Sequence, residues 1–432
     1  MTEDARVVFV TQMFPPETGG NASRIHDTAT NLGDEWDVTV LAPPPTLPPG
    51  EFDRSRRRAR TEHVDGVTVH RLWTWQPTDE DPGMARRLPY YLLFGLHAIL
   101  WLLWHRRRYD AVVTSTPPIS TGAAGLVAAA LGTPWVVDVR DLWIDASISL
   151  GYLEAGSPIE RVSRRFQRFV LATADRITVT TGTLGEAVAA EYGADLAAKT
   201  VPLPNGVDTD RFRPRTGTDP YTAGDEAASA GAATDGSGRT IVYTGNLGSA
   251  QDLETCVRAM AHLDSDAVLR LVGGGDVASA LRRLAADIGV ADRVRFDDPV
   301  PRDEVPGILS DATVGVAPLD DSAALSYAMP TKSYEYLACG LPTVVTGRGE
   351  IERFADRSGG AVHVDNDPAA VAAVFDNLLS DRRRRERMAR RGRAYVVEHH
   401  DRRALAERLG EELSALVDGA PAADRDADGA VP

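Results

Sequence analysis

The sequence predicts an α/β protein of two domains, and three observations carry that expectation. Short apolar strands alternate with helical segments along most of the chain, as in sheets wrapped by helices. At 432 residues the chain exceeds the usual size of one core. The strand–helix rhythm also restarts at Thr240, after a stretch (216–238) with almost no large apolar residue. That stretch is expected to be a disordered insertion beside a hinge.

The totals narrow the function classes. Hydrophobic content of 43% and charged content of 25% describe an ordinary soluble globular protein. A formal net charge of -15 argues against bulk attraction to nucleic acid. Arginine supplies nearly all the basic charge, because the only lysines are Lys199 and Lys332. Acidic excess with so little lysine is expected of a salt-adapted, halophilic protein. Cys256 and Cys339 lie inside apolar patterns and are expected in the core, with no disulfide framework. The acidic start, Met1-Thr2-Glu3-Asp4, runs straight into a strand without a secretory pattern, so the expected location is cytoplasmic.

In the first half, strand 6–11 is followed by Phe14-Pro15-Pro16-Glu17-Thr18-Gly19-Gly20-Asn21. Two prolines stiffen this loop, and Gly19 and Gly20 let backbone approach a ligand. Asn21 is expected to cap a helix running to Leu32, with Arg24 in its first turns. Strand 36–41 and a mobile loop, 43–60, come next. The segment 88–104 is the most apolar run, bracketed by Arg86, Arg87 and Arg106, Arg107, Arg108. It falls short of the ~20 residues a spanning helix needs. Basic flanks with Tyr90, Tyr91 and His97 suit a helix lying on an anionic membrane face, while a buried core helix is the other reading.

Strand 111–114, its exit loop Ser115-Thr116-Pro117-Pro118 and a small-residue helix (122–131) lead to strand 134–139. That strand ends in Asp138-Val139-Arg140-Asp141-Leu142-Trp143, at the sheet edge where α/β proteins bind ligands. Asp141 or Asp138 can take a proton or hold a hydroxyl, and Arg140 can pair with an anion; a structural Asp–Arg pair is the alternative. A basic helix (158–174) and strand 176–181 precede Pro204-Asn205-Gly206-Val207-Asp208, which closes this half.

The second half opens with strand 240–244 and its turn Gly245-Asn246-Leu247-Gly248. Helix 252–263 and strand 268–272 follow, the strand running into Gly273-Gly274-Gly275, a weak dinucleotide pattern without the full spacing. After strand 313–317 comes Met329-Pro330-Thr331-Lys332-Ser333-Tyr334-Glu335-Tyr336-Leu337-Ala338-Cys339-Gly340, a loop and a short helix, then buried strand 343–345. A helix start carrying Lys332 offers oriented N–H groups and an ammonium, which suit a phosphate. Glu335, one turn on, can accept two hydrogen bonds from a ribose diol. Thr331 or Ser333 is the expected cap. A basic helical run (381–416) closes the fold before a frayed tail from 418. The pairs Asp208/Asp210 and Asp264/Asp266 match Asp-x-Asp but arise by chance in so acidic a chain, and no residues cluster with metal-ligand spacing.

Four segments together resemble the family-4 glycosyltransferases (GT4) of the GT-B fold, in the branch that builds lipid-linked or surface polysaccharides. They are the proline–glycine loop ending at Gly20, Asp138 to Trp143, Tyr243 to Gly248, and Pro330 to Gly340. The resemblance implies an α/β GT-B chain, two Rossmann-like domains facing across a cleft. The N-terminal acceptor-side domain would be 1–205 and the C-terminal sugar-nucleotide domain 206–385, with a helix crossing back (386–417) and a flexible tail (418–432). It implies retaining transfer from a nucleotide-diphosphate sugar to a membrane-linked glycan or lipid, without a bound metal or other cofactor. The enzyme would sit peripherally on the inner face of the cell membrane.

Carried over, Gly19 and Gly20 approach the donor diphosphate, Gly245, Asn246 and Gly274 flank it, Lys332 neutralises it and Glu335 holds the ribose. Asp141, Arg140 and Lys332 are the implied catalytic groups, and Asn21, Arg24 and Asp138 the acceptor-side ones. The sequence departs from the family pattern where Tyr327 replaces the first of two glutamates, Arg140 stands where many relatives have histidine, and Gln251 takes the place of a basic residue. Two other readings stay open, a GT-B sugar-nucleotide epimerase and a non-catalytic GT-B partner subunit.

Overall fold

A computed structural model describes residues 5–17, 19–46, 52, 60–76, 84–106, 108–149, 151–215 and 239–419. The expected insertion (216–238), most of the loop 43–60 and the tail from 420 lie outside these residues. The described elements in chain order are β1 (Ala5–Val10), α1 (Gly20–Thr30), β2 (Trp36–Ala42), β3 (Arg60–Val64), β4 (Val67–Arg71), α2 (Met84–Trp104), β5 (Ala111–Thr116), α3 (Ser120–Ala130), β6 (Trp135–Val139), α4 (Trp143–Ser149), α5 (Pro158–Thr173), β7 (Arg176–Val179), α6 (Gly182–Tyr192) and β8 (Thr200–Pro202). Beyond the insertion come β9 (Thr240–Thr244), α7 (Leu253–Ala259), β10 (Val268–Val272), α8 (Ala278–Asp287), β11 (Val294–Asp297), α9 (Val305–Ser310), β12 (Val314–Ala317), α10 (Thr331–Ala338), β13 (Thr343–Val345), α11 (Glu350–Ser358), β14 (Ala361–His363), α12 (Pro368–Ser380), α13 (Arg382–His399) and α14 (Arg402–Val417).

They form two compact units. The first holds residues 1–205 and 402–432, the second 206–401. The first unit carries an eight-stranded sheet in the order β3-β4-β2-β1-β5-β6-β7-β8. Its strands are parallel except β3, which pairs antiparallel with β4. Val7, Phe9, Val38, Val40, Val113 and Val136 fill one core with Leu405, Leu409 and Leu413 of α14. A Cβ on Gly410 would lie 2.6 Å from the Leu32 carbonyl, so glycine lets α14 press onto the end of the α1 segment. Similarly, Gly125 of α3 leaves room for the buried Trp135 ring, whose Nε1 donates to Thr114 Oγ1 at 2.9 Å.

The second unit is a six-stranded, all-parallel sheet in the order β11-β10-β9-β12-β13-β14. Its first strand, β9, lies between β10 and β12, so successive crossovers leave it in opposite directions. The crevice above the carboxyl end of such a strand is where open parallel sheets take ligands. In the first unit β1 stands in the same position, between β2 and β5.

Several expectations are corrected. The closing run is two helices, broken at His400 and Asp401, where Val207 N donates to the His400 carbonyl and Val207 bridges to Asp401. The helix 382–399 therefore belongs to the second unit, and the return begins at Arg402 rather than at residue 386. Asn21 is not a cap: α1 starts at Gly20 behind Gly19, whose φ of 130° only glycine adopts readily. Neither Thr331 nor Ser333 caps α10, whose cap residue is Pro330, and Ser333 Oγ is buried without a partner. The apolar segment is a 21-residue helix, long and apolar enough to cross a membrane, yet Phe94, Ala98 and Leu102 along it are fully buried against the unit. Cys256 and Cys339 are buried and unpaired.

Candidate functional site

The residues predicted around the donor converge in the second unit, where β9 ends and α10 begins. Lys332 Nζ donates to Tyr243 Oη at 2.7 Å and to Gln251 Oε1 at 2.7 Å. Tyr243 Oη in turn donates to the Asn246 carbonyl at 2.5 Å, tying the ammonium to the Gly245–Asn246 turn. From the next turn of α10, Tyr336 Oη accepts from Thr244 N at 2.7 Å. These three side chains fix the loop that sequence reading assigned to a diphosphate. A Cβ on Gly245 would stand 3.5 Å from Lys332 Cε, and its φ of 126° is one that only glycine adopts readily.

Gly274 belongs to the support of this turn. Gly245 N donates to the Val272 carbonyl and Leu247 N to the Gly274 carbonyl. A Cβ on Gly273 would fall 2.0 Å from the Gly245 carbonyl oxygen, and one on Gly275 2.3 Å from that of Leu247. The glycine triplet is thus a bed on which the β9 turn lies. Asn246 exposes its side chain over Gly248, whose Cβ would come 2.6 Å from Asn246 Nδ2.

The electrostatics favour an anion. Burial pushes Lys332 down to about 7, with Glu335 opposing that shift. Burial likewise raises the Glu335 carboxyl, and the cations of Arg302 and Lys332 act against it. Arg302 Nη2 donates to Glu335 Oε1 at 2.5 Å, while its guanidinium lies over the Phe212 ring. A diphosphate beside Lys332 would restore the proton that burial discourages.

In the first unit, Gly19 and Gly20 are exposed at the head of α1, and Asn21 is exposed beside them. The loop before them is held by Arg71, which is fully buried and donates to the carbonyls of Phe14, Pro15 and Pro43. Buried Glu17 accepts from Thr46 N at 2.8 Å, and burial raises its carboxyl. Arg24 and Asp138 are paired with each other. Arg24 Nη2 donates to Asp138 Oδ1 at 2.8 Å and to the Leu203 carbonyl at 2.7 Å. Thr178 Oγ1 donates to Asp138 at 2.9 Å. Burial alone would raise Asp138, but Arg24 brings it below its usual value. Arg24 and Asp138, read from the sequence as acceptor-side groups, thus form a buried ion pair with each other, the Asp–Arg pair being made with Arg24 rather than with Arg140.

Arg140 donates to the carbonyls of Thr116 and Pro117, while its Nη1 is buried without a partner. Burial pushes its guanidinium down to about 10, against the charge of Asp138. Asp141 is half-buried and lines a small pocket with Thr116, Trp143, Gln167 and Tyr192. Among the described residues, no three His, Cys, Asp or Glu side chains are grouped to hold a metal. Of the Asp-x-Asp pairs, Asp208 serves a turn, its Oδ1 accepting from Asp210 N and Arg211 N, while at the second pair Asp264 N and Ser265 N donate to Asp376 and Asp266 lies 3.8 Å from Arg239.

Sequence reading missed Tyr243, Tyr336, Arg302 and Arg71. Tyr243 and Tyr336 sit in apolar patterns where only the ring signals, and Arg302 and Arg71 are ordinary arginines until the fold places them.

Comparison with known proteins bears on the same two halves. A glycosyl transferase 4-like domain model matches residues 19–206, and a glycosyl transferases group 1 model matches 238–381. The chain is 28% identical over 421 residues to a GDP-mannose-dependent alpha-(1-6)-phosphatidylinositol monomannoside mannosyltransferase of Mycolicibacterium smegmatis, covering 94% of this chain and 98% of that one. It is 30% identical over 300 residues to a D-inositol 3-phosphate glycosyltransferase of Frankia alni, covering 66% of this chain and 69% of that one. Among solved structures, a sucrose-phosphate synthase from Thermosynechococcus elongatus superposes with a TM-score of 0.70 at 18% identity, over 96% of this chain and 100% of that one.

Proposed function

Because the chain belongs to the GT4 glycosyltransferases of the GT-B fold, we propose that it moves a sugar, with retention, from a nucleotide-diphosphate donor to a lipid-linked or glycan acceptor. The observation that carries the donor half is Lys332, whose buried Nζ is aimed by hydrogen bonds to Tyr243 and Gln251 at the start of α10 and whose proton is favoured by Glu335. In this reading the ammonium and the first N–H groups of α10 take up the charge that develops on the departing diphosphate. Glu335 offers the ribose diol the oxygen that Arg302 leaves open. The acceptor hydroxyl enters on the face the diphosphate leaves. On the acceptor side, the unpartnered Nη1 of Arg140 suits an anionic group, and Asp141 holds or deprotonates a hydroxyl. The outward leucines of α2 support contact with a bilayer from which a lipid acceptor would be drawn.

The relatives make GDP-mannose the first donor to try, beside UDP- and dTDP-sugars. Binding of one donor is expected to weaken on the order of 100-fold in Lys332→Ala and in Glu335→Ala, because each removes a charged partner from a desolvated site. Turnover should persist after chelator treatment, since side chains and helix N–H groups supply the positive charge. Folded protein that binds no nucleotide sugar would overturn the proposal.

A further inference from the structure

The helix layer on one face of the first sheet is α2, α3, α5 and α6: the crossovers β4 to β5, β5 to β6, β6 to β7 and β7 to β8 all advance in the same direction. Within it α2 packs on α3, and α3 on α5. The approach of α2 to α3 is close, because a Cβ on Gly95 would lie 2.9 Å from the Ser120 carbonyl. The outer sides of α2 and α5 therefore look the same way.

The outer side of α2 is apolar. Leu88, Leu92, Leu96, Leu100 and Leu103 are exposed along one stripe, with Leu92 at 55% and Trp104 at its end at 88%. Arg106 and Arg108 stand just beyond, also exposed. On α5 the same combination recurs on a helix that the sequence marks only as basic. Its core-facing arc is Gln167, Val170 and Leu171. On the outer arc lie Ile159 (68% exposed), Val162 (63%) and Phe169 (57%), spaced as one stripe with half-buried Phe166.

Beside that stripe run Arg161, Arg165 and Arg168, of which Arg168 also reaches Asp195 at 3.4 Å. Glu160, the only acidic residue of α5, is turned to Arg164 at 2.7 Å. Nothing in the core accounts for three large exposed apolar residues here, and α5 is cationic in a chain whose net charge is -15.

We infer that α5 is a second membrane-contacting helix, lying with α2 on an anionic bilayer so that one face of the first unit is seated at two lines. This rests on the membrane reading of α2 given above. The bilayer is favoured by charge complementarity: apolar side chains flanked by arginine are what an interface of acyl chains and anionic headgroups accepts. Contact along two helices fixes the tilt of the unit on the surface, where a single helix would leave it free to roll.

Flotation of the full chain with phosphatidylcholine vesicles holding about 30% phosphatidylglycerol, against phosphatidylcholine alone, tests this. Wild type is expected to float with the anionic vesicles. Val162→Glu/Phe169→Glu should partition roughly tenfold less or weaker still, as should Leu92→Glu/Leu96→Glu. An unchanged near-ultraviolet circular dichroism spectrum and an unchanged protease resistance of the first unit in each variant would show that its fold is intact. If the α5 variant floats like wild type while the α2 variant does not, the inference about α5 is wrong and the α2 contact stands. If wild type ignores anionic vesicles, both fail.

Discussion

Lys332 pays a folding cost that its function would recover. Its folded value near 7 lies below the ordinary 10.5, so the unfolded chain binds the extra proton between those limits. Stability therefore rises as pH climbs from about 7 toward 10.5, and the cost is present in full below about 7. Lys332→Met is expected to raise the unfolding free energy by about 1–2 kcal/mol at neutral pH while weakening donor binding on the order of 100-fold, as in Lys332→Ala. For binding the sign reverses. Only the protonated ammonium attracts the diphosphate, so affinity should be highest below about 7 and fall above it. Titration calorimetry of the nucleotide across that range checks this, and a flat profile would remove Lys332 from the phosphate site.

Arg302 is a positioning residue for Glu335. Without it, burial raises the carboxyl with only Lys332 to oppose it. Arg302→Gln should weaken nucleotide diphosphate about tenfold, more so as pH falls, because the diol then meets a carboxylic acid. A 2′,3′-dideoxy analogue should bind both forms alike. The place of Lys332 and Glu335 on the first turns of a helix was legible, because Pro330 and the Gly340–Pro342 stop bound that helix in the sequence. Their partners were not: the Arg302–Glu335 contact spans 33 residues and the Lys332–Tyr243 contact 89. The partner of Asp138 was hidden for the same reason, since Arg24 is 114 residues away.

At the scale of elements, the parallel strands announce themselves as short Val-rich runs because both faces of each sheet are covered. The β3–β4 hairpin went unread, although its Asp65-Gly66 turn, with φ of 48° and 86°, is a strong local hairpin signal. The division of the closing run into α13 and α14 carries no glycine or proline at the break, and becomes visible only through its contacts. Gly125 offers a clean test of how tightly α3 sits on the sheet. An added methyl would fall 1.8 Å from the Trp135 ring. Gly125→Ala is expected to cost about 3 kcal/mol in denaturant unfolding despite its better helix propensity. A loss under ~0.5 kcal/mol would mean that the helix shifts freely.

For the molecule as a whole, two units were legible because the strand rhythm repeats. A helix crossing back was expected as well, from residue 386; what remained hidden is that the return begins only at Arg402, with the whole of 206–401 an insert within the first unit. The strands and helices of the first unit are laid down by Asn205, yet Leu405, Leu409 and Leu413 complete its core only after another 196 residues (206–401). On a ribosome adding about 5–20 residues per second, that is a delay of about 10–40 s. For that time the groove beside Leu32 and Trp36 stands open to solvent and to chaperones, while the second unit can finish folding from its own contiguous stretch. A chain stopped after Asp401 should therefore keep a protease-resistant second unit and lose the first. The order of translation, rather than the order of domains, then decides which half of this enzyme depends on help to fold.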